Sequence, residues 1–84
     1  MKVVFSKTAA KNYHRLPLYL QSAITSRLEK LAADPQTRTF DVKPMRGSLE
    51  DSFRLRVGPI RVVYVLTEES INVYSIGFRG DVYK

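Results

Sequence analysis

Residues 53–66 read Phe-Arg-Leu-Arg-Val-Gly-Pro-Ile-Arg-Val-Val-Tyr-Val-Leu, and this stretch decides the fold. Apolar and cationic residues alternate up to Gly-Pro, and a nearly continuous apolar run follows. That pattern predicts two antiparallel strands joined by a short turn. Because successive side chains of a strand point to opposite faces, Arg54 and Arg56 share one face. Arg61, near the start of the return strand, joins that face if the turn sets the register that way.

These arginines allow two interpretations. Guanidinium groups at alternate strand positions lie roughly 7 Å apart, and at a dielectric of about 20 they repel by about 2 kcal/mol. A patch of three arginines suits a ligand that carries phosphate, because each planar guanidinium can bind two phosphate oxygens. The alternative is that they are solvated and paired with carboxylates such as Glu50, Asp51 or Glu68.

Length and composition limit the classes of protein. The chain has 84 residues, so residues 1–84 are expected to form a single domain. Its formal net charge is +6, which indicates an anionic partner such as a nucleic acid or an acidic protein. With no Cys and one His, the sequence predicts no disulfide, no zinc site and no cofactor. No apolar run approaches a membrane span and the start is not typical of a signal peptide, so we expect a cytoplasmic protein without a membrane partner.

The remaining pattern predicts the other elements. Residues 2–5 resemble a strand, Ser6 is a candidate helix cap, and helical periodicity predicts a helix that begins at Lys7 and is ended by Pro17. A second amphipathic helix follows from residue 18 to about residue 33. The two helices are expected to form a hairpin that packs on a sheet.

Residues 36–51 are mostly polar and are interpreted as a long ordered connection. Lys43 and Arg46 within it could bind a backbone phosphate, and the alternative is a solvated loop. Residues 71–76 alternate as a strand, with Val73 and Ser75 on one face. The predicted fold is α+β in the order β-α-α-β-β-β, with the helical hairpin on one face of an antiparallel meander, the basic residues on the other, and the first strand as a fourth.

A resemblance to a known family emerges from these residues. The element order, the stretch 53–64 and the ending Ile-Gly-Phe-Arg-Gly-Asp-Val-Tyr at 76–83 resemble the RelE toxins of toxin–antitoxin modules, in the RelE/ParE superfamily. The resemblance covers essentially the whole chain. It implies a metal-independent endoribonuclease that cuts mRNA in the ribosomal A site. It also implies four partners: an acidic RelB-like antitoxin, the ribosome, mRNA, and operator DNA bound through the antitoxin complex.

The resemblance also implies roles for particular residues. Cleavage by the neighbouring 2′-hydroxyl needs a base, stabilisation of a dianionic transition state, and protonation of the leaving 5′-oxygen. Arginine cannot serve as the base, so the implied catalytic residues divide these tasks. The family's strand pair of basic residues and its arginine after the turn, which stabilise the transition state, correspond to Arg54, Arg56 and Arg61. Arg79 corresponds to the group near the leaving oxygen, and Tyr83 to a terminal tyrosine that stacks on a base or acts as the general base.

Phe78 stands where many relatives carry a His or a basic residue, and it could bind RNA by stacking. Two other function classes stay open. One is a ParE-like inhibitor of DNA gyrase without RNase activity. The other is a degenerate, non-catalytic toxin that binds its antitoxin and operator DNA.

Overall fold

The computed structural model describes residues 1–34, 42–44 and 52–78, and within them it contains five strands and two helices. In chain order these are β1 (Lys2–Phe5), α1 (Lys7–His14), α2 (Leu18–Ala33), β2 (Val42–Pro44), β3 (Ser52–Val57), β4 (Ile60–Leu66) and β5 (Ser70–Phe78). Neither described helix is long and apolar enough to cross a membrane. The α+β class and the predicted order of elements are confirmed, and β2 is an additional strand.

A helical hairpin forms one layer of the molecule. The Ala9 amide donates to Ser6 Oγ at 3.0 Å, so Ser6 caps α1 as its position predicts. Pro17 separates the two helices, because it cannot supply a helical amide and disfavours helical geometry in the residue before it. The hydroxyls of Tyr13 and Thr25 lie 2.7 Å apart and link α1 to α2.

The second layer is a mixed sheet with the strand order β1-β5-β4-β3-β2. Strands β3, β4 and β5 form the expected antiparallel meander. Strand β1 joins the meander as expected; it lies beside β5, and the two strands run parallel. The helices lie in sequence between β1 and β2, which stand at opposite ends of the strand order.

The predicted connection over residues 36–51 is wrong at β2. Residues Val42–Pro44 pair antiparallel with β3 and end the strand order on that side. Pro44 conceals this strand in the sequence, since proline is unfavourable in a strand interior but tolerated at a sheet edge. The sheet therefore has one more strand than the sequence predicts, next to the strand that carries Arg54 and Arg56.

A β-bulge changes the alternation of β5. Val63 pairs with Ser75 but Tyr64 pairs with Val73, so Tyr74 is an extra residue without a register partner on β4. The predicted sharing of one face by Val73 and Ser75 is therefore wrong. Beyond the bulge, Ile76 lies on the buried face with Val73.

The hydrophobic core fills the space between the helices and one face of the sheet. Each fully buried aliphatic side chain there contributes roughly 1.5–3 kcal/mol. The helices contribute Leu20, Ile24, Leu28 and Leu31, and the strands contribute Leu55, Val57, Ile60, Val62, Tyr64, Ile71, Val73 and Ile76. The opposite face of the sheet does not contribute to this core.

Candidate functional site

A two-residue turn connects β3 to β4 and fixes their register. Gly58 has a φ of 59°, and Pro59 follows it. A positive φ followed by the fixed negative φ of proline is typical of a type II′ turn, which matches the twist of the flanking strands. With only two residues in the turn, Arg56 pairs directly with Arg61 across the two strands.

Three arginines come together on the sheet face that is turned away from the helices. Arg54 and Arg56 alternate along β3 with the core residues Leu55 and Val57. Arg61 shares their face because directly paired residues of neighbouring strands point to the same side. We call this surface of Arg54, Arg56 and Arg61 the arginine face.

The three side chains differ in their surroundings. Arg56 is exposed, Arg54 is half-buried, and Arg61 retains only 8% of its accessible surface. Arg54 and Arg61 each take part in an interaction within the chain. Arg61 is therefore a positioned, largely desolvated cation, whereas Arg56 reaches into solvent.

The arrangement places like charges directly opposite each other on neighbouring strands. Like charges directly opposite each other on neighbouring strands are destabilising. Charges about 7 Å apart repel by about 2 kcal/mol at an effective dielectric of about 20, before salt screening. An anion bound between Arg56 and Arg61 relieves this repulsion, and a phosphodiester has the oxygens to engage both guanidinium groups.

Comparison with known families adds an independent observation. A family profile described as the ParE toxin of type II toxin–antitoxin systems, parDE, matches residues 3–83. The chain belongs to this toxin family. The matched range includes both helices, four of the five described strands in full, β1 from its second residue onward, and the arginine face. A search of curated proteins finds no significant match.

Solved structures similar to this toxin include RelE toxins, several of them in complex with RelB. The RelE–RelB complex of Pyrococcus horikoshii OT3 contains a chain with 26% identity and a TM-score of 0.81, covering 95% of this chain and 96% of that one. The RelBE2 complex of Mycobacterium tuberculosis gives 26% identity and a TM-score of 0.75, covering 93% and 96%. The isolated RelE toxin of E. coli gives 22% identity and a TM-score of 0.76, covering 98% and 89%. The fold is therefore that of RelE toxins.

The floor beside the arginines is made of small and apolar residues. Arg61 pairs with Gly77 of β5, and Val63, which is 1% exposed, pairs with Ser75. Because Gly77 has no side chain, nothing projects from β5 beside Arg61 at this position. Sequence reasoning missed Ser75 and Gly77, because only the bulge at Tyr74 brings them onto this face.

The other predicted site residues of the toxin separate into three groups. Lys43 is the register partner of Arg54 on β2. Phe78 pairs with Ile60, so it lies on the helix side of the sheet and not on the arginine face. The remaining predicted positions lie outside the described residues: Arg46, Arg79 and Tyr83.

The described part of the toxin carries few groups that could transfer a proton at this face. Burial raises the pKa of Tyr64 to about 12, and Tyr64 stacks on Phe53 within the helix-side layer. It therefore stays neutral at physiological pH. Among the described residues, no cluster of three or more His, Cys, Asp or Glu is present that could hold a metal ion.

Proposed function

We propose that this toxin is a metal-independent endoribonuclease that cleaves mRNA in the ribosomal A site. The observation that carries the proposal is the direct cross-strand pairing of Arg56 with Arg61, with Arg54 on the same face. This pairing brings two guanidinium groups together, and such a pair is suited to a phosphodiester. The similarity to RelE toxins at 26% identity supports the same assignment.

The proposed reaction is attack of an RNA 2′-oxygen on its neighbouring phosphorus, with departure of the 5′-oxygen of the next nucleotide. The 2′-hydroxyl proton goes to a base and the leaving oxygen gains a proton, so a 2′,3′-cyclic phosphate and a 5′-hydroxyl are formed. The dianionic transition state gains most from donors placed in advance, and Arg61 is such a donor because it is buried and already held. In this proposal Tyr83 supplies the base and Arg79 assists the leaving oxygen.

The ribosome provides the remaining part of the catalysis. Holding the message in register replaces a bimolecular encounter with an oriented one, which lowers the barrier without further protein groups. A small protein then needs only to supply charge stabilisation and proton transfer. We place Lys43 and Arg46 among the residues that bind the message outside the reacting phosphate.

The toxin is proposed to act with an antitoxin. The similar P. horikoshii and M. tuberculosis structures are toxin–antitoxin complexes. A net charge of +6 requires an acidic partner to keep the protein from nonspecific RNA binding. We propose a RelB-like acidic protein that covers the arginine face, and operator DNA that is bound through the complex.

A gyrase inhibitor is the second candidate, because the matching family profile is named for ParE. Expression of the toxin without antitoxin, followed by mapping of transcript 5′ ends, separates the two. Cuts at defined codon positions support the nuclease. Intact transcripts together with an SOS response support gyrase inhibition and contradict the nuclease. The same mapping with Arg56→Gln is expected to show weaker cuts. Lys30→Gln, which removes one exposed charge from α2, is its matched control.

A further inference from the structure

A second row of cations lies on α1 and on its C-cap residue Arg15, away from the arginine face. Lys7, Lys11 and Arg15 are all exposed and follow each other at intervals of four residues. Residues at this spacing lie on one side of a helix, about 6 Å apart along its axis. The helix contains no acidic residue. The carboxylates of the described residues lie elsewhere, in the second half of α2, at its end and in the β4–β5 turn: Glu29, Asp34, Glu68 and Glu69.

Helix stability accounts for only part of this row, because the negative end of the helix dipole favours Lys11 and Arg15 near the C-terminus. Lys7 occupies the first turn, where the positive end of the helix dipole disfavours a cation. Like charges four residues apart on a helix also repel each other. The row is therefore better explained by a partner that carries negative charge at regular intervals.

An open groove runs beside this row, between α1 and the end of β5. Its volume is about 450 Å³, and its walls include Thr8, Asn12, Arg15 and Phe78. Asn12 Nδ2 donates to the carbonyl of Ile76 at 3.1 Å, which holds α1 against β5. Half of the Phe78 surface is exposed, so one aromatic ring is available at the groove. Arg15 belongs to both the groove and the row.

The groove is connected to the arginine face through two adjacent residues of β5. Gly77 pairs with Arg61 on the arginine face, and Phe78 follows it on the helix side. Residues of both faces line the groove, Ser75 and Gly77 from the arginine face and Phe78 from the helix side, so a chain that leaves the arginine face at Gly77 can enter the groove there.

We propose that the groove, together with Lys11 and Arg15, is a second binding site for single-stranded RNA. This inference rests on the proposed function and extends its substrate contact by a neighbouring stretch of the strand. A base stacks on Phe78, and the phosphates beyond it bind Arg15 and then Lys11. An exposed ring beside a cationic row is the combination that binds single strands without sequence preference.

The test measures binding rather than cleavage. Labelled oligouridylates, in a series of roughly 4 to 16 nucleotides, are titrated with the full chain at several salt concentrations. A plot of log K against log salt has a negative slope. The double variant Lys11→Gln/Arg15→Gln is expected to reduce the magnitude of that slope by roughly 1.4, the value for two lost phosphate contacts. The charge-matched control Lys2→Gln/Lys30→Gln, at two exposed lysines elsewhere, leaves the slope unchanged.

The aromatic contact has its own variants. Phe78→Ala is expected to weaken binding of the longer oligonucleotides by between about 5-fold and about 150-fold, whereas Phe78→Tyr retains the ring and the affinity. The inference is overturned if both double variants behave alike, if Phe78→Ala binds as the unaltered toxin does, or if the toxin binds no oligouridylate. It is also overturned if Phe78→Ala weakens binding of an acidic peptide but leaves binding of the oligouridylates unchanged. If the toxin cleaves no message on the ribosome but these binding effects are observed, the proposed nuclease is refuted and the second RNA-binding site is supported.

Discussion

Replacing Arg56 with Gln is expected to stabilise the toxin. Arg56 pairs with Arg61 across the β3–β4 hairpin, so the substitution removes a direct like-charge pair. Taking a charge separation of about 7 Å between the two long side chains, a dielectric of about 20 gives a repulsion of about 2 kcal/mol, and salt screening at the exposed Arg56 lowers it to about 1 kcal/mol. For a chain of 84 residues, a gain of that size raises Tm by about 4–8 °C.

The assay is thermal unfolding at physiological salt and again at about 1 M salt, where the screening length is about 3 Å and the gain should nearly vanish. Lys30→Gln is the control, because it lowers the net charge equally at an exposed site on α2. The reasoning is refuted if Arg56→Gln has the same Tm as the control, or if its gain persists in high salt.

Two further changes test the hairpin and its core. Gly58→Ala is expected to lower the free energy of unfolding by about 1–2 kcal/mol, because a φ of 59° is strained for a residue with a Cβ. Space is not the cause, since nothing lies within 4 Å of a Cβ built at Gly58. Gly58→Asn should lower it less, and urea unfolding measures both variants. The raised pKa of Tyr64, about 12 against 10.0, means that the unfolded chain ionises first as pH rises. Stability therefore falls between pH 10 and 12 by roughly 3 kcal/mol, and Tyr64→Phe should abolish this part of the loss in urea midpoints measured from neutral to alkaline pH.

The sequence predicts the arginine face well because local rules determine it. Strict alternation assigns the faces of β3, and a two-residue turn with Gly58 fixes the pairing of Arg56 with Arg61. Neither step depends on distant parts of the chain. Both helices are predicted for the same reason, from a cap at Ser6 and a break at Pro17.

The features that the sequence does not predict depend on tertiary contacts. The bulge at Tyr74 coincides with the point where β1 ends and Ser6 Oγ donates to the Tyr74 carbonyl, a contact between residues 68 positions apart. Only this bulge places Gly77 beside Arg61 and Phe78 on the helix side. The three residues of β2 carry no periodicity of their own, and pairing with β3 alone makes them a strand.

The rate of single-turnover cleavage of a message on programmed ribosomes is the measurement that separates a catalytic arginine pair from a structural one. If Arg56 stabilises the transition state from the arginine face, Arg56→Gln lowers this rate by about 10²–10³-fold while Lys30→Gln leaves it unchanged, although Arg56→Gln is the more stable protein. A rate for Arg56→Gln equal to that of Lys30→Gln would show that the arginine pair does not act on the phosphodiester.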